Sequence, residues 1–105
     1  MKEINIVYMT AGSLAEARTI GKSLVKSNLA ACVNIIDNMS SVYWWEGRIQ
    51  EDKEVVLIAK TTRACVPELI DKVKLLHSDD CPCIVALAVE SGNIDFLNWI
   101  AEETT

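Results

Sequence analysis

Apolar and polar residues recur along this chain with two periods, and the order in which those periods appear predicts the fold. Residues 3–9 (EINIVYM) are β-rich: Ile4, Ile6 and Tyr8 share one face of an opening strand, and Val7 and Met9 occupy the other. The period lengthens at Ser13. Ser13-Leu14-Ala15-Glu16 has the form of a capping box, in which the hydroxyl and the carboxylate satisfy free N–H groups of a first helical turn. The helix it opens puts Leu14, Ala17, Gly21, Leu24 and Val25 on one stripe and Arg18, Lys22 and Lys26 outside, with Asn28 as a stop.

A long hairpin follows. One arm runs through Ala30-Ala31-Cys32-Val33-Asn34-Ile35-Ile36 to Tyr43-Trp44-Trp45; the other returns through Val55-Val56-Leu57-Ile58-Ala59. Glu46-Gly47 is the turn, where glycine permits a positive φ. A strand from Ala30 to Trp45 spans on the order of 50 Å at ~3.3 Å per residue, whereas ordinary strands have about 5–6 residues. A chain of 105 residues cannot cover such a ribbon with its own helices. The expected cover is another copy of the chain.

A second helix is predicted from about Thr62 to His77, with Val66, Leu69, Ile70, Val73 and Leu76 as its apolar face. Pro67 has to lie in its first turn, because deeper in the helix it would delete a hydrogen bond. A fourth strand is expected over about Pro82 to Val89. Gly92 then breaks the chain, and Asn93 opens a terminal helix expected to bury Phe96, Trp99 and Ile100. The order β-α-β-β-α-β plus a tail helix predicts an α+β, ferredoxin-like sandwich, one domain over residues 1–105.

Charge and cysteine content narrow the function. Ten basic against 15 acidic residues give a net charge of −5, which disfavours a nucleic-acid partner because phosphate contacts need a basic face. That balance also argues against reading Tyr43-Trp44-Trp45 as a base-stacking platform; subunit packing is the expected role. Mean hydropathy is +0.20, and no apolar run approaches ~20 residues, so the expectation is a cytoplasmic protein with no membrane partner. The cysteines are Cys32, Cys65, Cys81 and Cys83. With an ample core and no leader pattern they read as thiols rather than a disulfide framework. No glycine-rich phosphate loop or oxyanion loop is evident, so no enzyme activity is expected.

His77-x3-Cys81-x-Cys83 is the one cluster with metal-ligand chemistry. In an extended segment Cys81 and Cys83 point to the same side, with His77 a short turn upstream. Two thiolates and an imidazole suit Cu(I) or Zn(II). A packing role competes, since Cys83 continues the face of Val85, Leu87 and Val89 and unpaired cysteine is commonly buried. His77 beside Asp79 and Asp80 could instead cap the helix end. Cys32 reads as packing within an apolar strand, and Cys65 as incidental.

The chain resembles the CutA family of divalent-cation-tolerance proteins over nearly its whole length. The resemblance is carried by Leu29-Ala30-Ala31-Cys32-Val33-Asn34-Ile35, by Tyr43-Trp44-Trp45-Glu46-Gly47, by Val55 to Thr62, by Leu76-His77 and Pro82, and by Phe96-Leu97-Asn98-Trp99-Ile100. It implies a cytoplasmic homotrimer pairing through the long hairpin (the Ala30–Thr61 region) and a role in metal tolerance, with binding of copper and other divalent ions. Copper leads as the implied cofactor, with zinc second. Alignment with the family adds Met9 to His77, Cys81 and Cys83 as a candidate metal ligand in the cleft between subunits. In one place the chain departs from the family: after the second helix the family usually reads His-Pro-Tyr-Glu-any-Pro-Glu, and here the residues are His77-Ser78-Asp79-Asp80-Cys81-Pro82-Cys83. Two other readings share the architecture. One is a trimeric regulatory module like the PII signalling proteins, binding a small ligand or partner protein between subunits; the other is a trimer with no specific ligand.

Overall fold

A computed structural model describes residues 2–104. The elements are β1 (Ile4–Ala11), α1 (Leu14–Lys26), β2 (Cys32–Trp45), β3 (Arg48–Thr62), α2 (Val66–Leu76), β4 (Ile84–Ala88) and α3 (Ile94–Glu103), with a 3-10 turn at Arg63–Cys65 before α2. The strands form one antiparallel sheet in the order β2-β3-β1-β4. This is the expected α+β, ferredoxin-like arrangement.

Strand alternation sorts the sheet into two faces. Val7, Met9, Leu57 and Ala59 point to the face that Ala17, Ile20 and Leu24 of α1 and Leu69 and Val73 of α2 cover, and together they are the main core. Ile4 belongs to the opposite face, where it packs with Ala31 and Ile100 beneath α3. On the rest of that second face Thr10 and Val56 of the central strands are buried, while Ile36, Val85 and Leu87 of the edge strands stand exposed.

Pro67 falls in the first turn of α2, as its missing N–H requires. Asn28 ends α1 in the left-handed region at φ 60°, a conformation its short polar side chain tolerates. The hairpin turn uses positive φ at both central residues, Glu46 (51°) and Gly47 (76°), the combination that matches the twist of the flanking strands.

Several expected details differ. Ile20, not Val25, completes the buried stripe of α1; Val25 is exposed. The fourth strand begins at Ile84 rather than Pro82, because Pro82 has no N–H to donate to a ladder. Of the three residues expected beneath the terminal helix only Ile100 is buried. Phe96 and Trp99 remain 44% and 37% exposed and stack on each other at 5.6 Å. The long strand is also broken: pairing runs from Ile36↔Val56 to Met39↔Glu54, so β2 carries one extra residue there. Asn38 takes φ 62° in this bulge, and its N–H donates to Asp37 Oδ1 at 2.7 Å.

Candidate functional site

The bulge decides which aromatics reach the site. A one-residue insertion exchanges the faces of everything beyond it. Before the bulge Asn34 and Ile36 lie on the open face; after it Ser41, Tyr43 and Trp45 do, while Trp44 turns away. Tyr43 and Trp45 thereby form one wall of a cleft of about 680 Å³. Tyr8 and Thr10 of β1 and Glu54 of β3 contribute to it from the sheet, and the segment from Ser78 to Cys83 closes the other side. The Tyr43 hydroxyl donates to Asp52, and this bond, with the nearby carboxylates, pushes its pKa up to about 12.

The Ser78–Cys83 segment has no regular structure of its own. Two side chains anchor it. The His77 imidazole, 1% exposed, places Nε2 2.7 Å from the Thr10 carbonyl oxygen and Nδ1 3.0 Å from the Asp79 N–H. A carbonyl can only accept and an amide N–H can only donate, so the proton sits on Nε2 and Nδ1 is the acceptor. Glu16 is the second anchor. Its Oε1 accepts from the Gly12 N–H at 3.1 Å and its Oε2 from the Ser78 N–H at 2.9 Å, while Ser13 Oγ caps α1 by accepting from the Glu16 N–H. Burial acts to raise the Glu16 pKa, but the hydrogen bonds from Ser78 and Gly12, aided by His77, outweigh it and hold the carboxyl below its usual range.

The four residues expected from sequence to bind metal are not gathered at one point. Met9 is 1% exposed inside the main core, on the helix-covered face. His77 does not line the cleft, and both its ring nitrogens are already engaged. Cys81 and Cys83 both line the cleft and are exposed. Burial pushes the Cys83 thiol pKa up and Glu54 adds to this, while a hydrogen bond with Thr10 opposes both. Among the described residues no group of three or more His, Cys, Asp or Glu side chains is arranged to hold a metal ion. One chain therefore lines the cleft with two soft donors, short of a closed zinc site, which takes four.

Within a single chain Cys83 does not form a buried row with Val85 and Leu87. Cys83, Val85 and Leu87 are all exposed on the open face. Cys32 is half-buried on that same face, and Cys65 is buried at the start of α2, where its sulfur accepts from the Thr62 hydroxyl at 3.3 Å. Glu54, Tyr8 and Glu16 belong to the site without having been singled out by sequence reading. Glu54 depends on register, and Glu16 read as a local helix cap.

A family model described as the CutA1 divalent ion tolerance protein matches residues 5–103. A relative from Thermus thermophilus, "Divalent-cation tolerance protein CutA", is 46% identical over 99 residues, covering 94% of this chain and 96% of its own length. A solved structure of the divalent cation tolerance protein from Thermus thermophilus superposes with a TM-score of 0.95 at 44% identity, over 97% of this chain and 99% of that one. One from Archaeoglobus fulgidus, titled a periplasmic divalent cation tolerance protein, gives a TM-score of 0.92 at 45% identity, over 95% and 97%. Motifs, element order and the full span of the fold thus coincide, and the chain belongs to the CutA1 divalent ion tolerance family.

Proposed function

We propose that this protein binds a soft metal ion, copper in preference to zinc, through Cys81 and Cys83, and that it does so as a cytoplasmic, non-catalytic homotrimer serving metal tolerance. The observation that carries the reading is the placement of both thiols on one wall of the 680 Å³ cleft, in a chain of the divalent ion tolerance family. Thiolates select Cu(I) over harder ions, and a cysteine at position 83, where glutamate is common in the family, shifts preference in that direction. Glu54 and the Asp79–Asp80 turn add negative charge around the thiols, which favours any cation entering. His77 serves the site by holding the turn, and Met9 by packing on the helix-covered face of β1. Among the described residues no helix is long and apolar enough to cross a membrane.

Trimer formation is supported by the exposed apolar residues Ile36, Val85 and Leu87 on the open sheet face and by the exposed hairpin tip. Contiguous exposed apolar patches mark interaction surfaces. In the trimer a neighbouring chain could complete the cleft that one chain leaves open.

Competition for Cu(I) against a chromophoric chelator, with reduced protein under anaerobic conditions, tests the metal reading. Cys83→Ser and Cys81→Ser should each weaken binding, and Cys65→Ser should leave it unchanged. Because burial raises the Cys83 pKa and metal must displace that proton, affinity should fall as pH drops through the thiol range. Unchanged Cu(I) affinity in both Cys81→Ser and Cys83→Ser overturns the assignment.

A further inference from the structure

Cys81 and Cys83 are separated by a single proline, and three features of that segment bear on what the two thiols can do to each other. Pro82 fixes its own φ near −65°. Two residues of extended chain separate Cα atoms by at most roughly 6.6–7.2 Å, and the bend at Cys81 shortens that span toward the ~4.4–6.8 Å range that a disulfide accepts. The chain bends at Cys81, and the β1–β4 ladder begins only at Met9↔Ile84, so no sheet hydrogen bond has to break for the segment to adjust. Both cysteines line the same open cleft and are exposed. Neither has a competing partner nearby: Cys65 lies in the core beside Thr62, and Cys32 lies four rows along the sheet from Cys83, in line with Leu87.

We propose that Cys81 and Cys83 form a reversible intrachain disulfide by exchange with a low-molecular-weight disulfide such as glutathione disulfide, and that this oxidation closes the soft-metal site. The proposal rests on the metal reading above for its consequence, and on the cleft geometry alone for its chemistry. The Cys81 thiolate attacks one sulfur of glutathione disulfide. That S–S bond breaks, one glutathione leaves as thiolate, and Cys81 holds the other as a mixed disulfide. The Cys83 thiolate then attacks the Cys81 sulfur and expels the second glutathione. Two cysteine thiols are oxidised and one glutathione disulfide is reduced; the two thiol protons pass to the two departing glutathiones. Cys81 begins the sequence because it lies at the bend of the segment, away from the sheet, whereas Cys83 adjoins the first β1–β4 pair. The disulfide removes both electron-pair donors from the cleft as thiolates, so the metal and the oxidant compete for the same two sulfurs. A link across only two residues is strained relative to structural disulfides, which places it among the labile, regulatory kind.

The sequence provides a clean readout. No Lys or Arg lies beyond Lys74, so trypsin leaves residues 75–105 as one peptide holding Cys81 and Cys83 and no other cysteine. The intact metal-free protein is equilibrated at graded ratios of reduced to oxidised glutathione, quenched by alkylation, digested and weighed. The expected result is conversion of the 75–105 peptide from its doubly alkylated form to one that takes no alkyl group and is two hydrogens lighter than the dithiol. Cys81→Ser and Cys83→Ser should stop at a mixed disulfide with glutathione, and Cys32→Ser should behave as wild type. Oxidised protein should then lose the Cu(I) binding that reduced protein has and regain it after treatment with dithiothreitol. A peptide that stays doubly alkylated at every ratio, or one that crosslinks to a second chain, overturns the disulfide. A disulfide that forms while Cu(I) affinity is unchanged overturns the closure of the site. Failure of the reduced protein to bind Cu(I) would instead count against the metal reading, with the peptide masses still deciding the disulfide.

Discussion

Glu16 shows how one residue can belong to an element and to a site at once. Its sequence context is that of a helix cap, and Ser13 does cap α1, yet the Glu16 carboxylate passes over the Ser13 N–H and binds Gly12 and Ser78 instead. It thereby joins the start of α1 to the turn that carries Cys81. The pKa of Glu16 is lowered in the folded chain, so the stability it contributes is fully present above the unfolded carboxyl pKa of about 4.3 and is lost as pH falls through the lower folded value. Glu16→Gln should therefore be less stable than wild type at pH 7, and the gap should narrow on acidification below that value. Urea unfolding at pH 7 and pH 3 measures it; a gap that stays constant would show that the carboxylate charge is not what matters. His77 was legible as the end of α2, with its N–H bonded to Val73 O at 2.8 Å. What was not legible is that its ring is spent on Thr10 and Asp79. Contacts 67 residues apart depend on tertiary register, which spacing along the chain does not carry.

At the scale of elements, strand and helix identities followed from periodicity, and boundaries and faces were lost where one residue breaks the period. The β2 bulge is the clearest case. Without it the alternation of Ile36 would continue to Val42 and Trp44, and Tyr43 and Trp45 would face away from Tyr8. Its signal, Asp37-Asn38 within an apolar run, is a weak one because both residues also occur in ordinary strands and turns. Deleting Asn38 should restore a regular ladder and turn Tyr43 and Trp45 out of the cleft; Tyr43 should lose its bond to Asp52, and its pKa, raised to about 12, should fall toward the ordinary value of about 10 in a spectroscopic titration while the hairpin persists. Glycines supply a paired test of backbone argument. Gly21 sits within α1, where an added Cβ would meet Val33 and Ile35 side-chain atoms at 3.4–3.6 Å, ordinary contact. Gly21→Ala should thus stabilise by roughly 0.5–1 kcal/mol through helix propensity. Gly47 has open space around it but φ +76°, so Gly47→Ala should destabilise by roughly 1–2 kcal/mol from left-handed strain. Opposite shifts in denaturant midpoint are the expected result, and shifts of the same sign would show that space rather than conformation governs both positions.

The whole molecule poses a question that no single element answers, because its longest dimension, 44 Å, belongs to a ribbon that its own helices cover at one end only. β2 and β4 are both edge strands, and natural sheets protect such edges or pair them. Beside those edges the open face presents Ile36, Val85 and Leu87, each more than half exposed, and α3 adds the Phe96–Trp99 stack. Phe96 and Trp99 were expected from sequence to be buried, and the helical spacing that suggested this marks an apolar face correctly without saying whose core it enters. The proposed trimer would cover both the edge strands and the apolar face. Light scattering coupled to size exclusion should give three times 11.6 kDa at micromolar concentration. Leu87→Asp should lower that mass or precipitate the protein, since it would place a carboxylate in a desolvated interface without a partner. The comparison variant is Leu75→Asp, on α2 and 83% exposed, which should leave the mass unchanged. A single-chain mass for the wild type would overturn the assembly, and equal behaviour of the two variants would place Leu87 outside the contact.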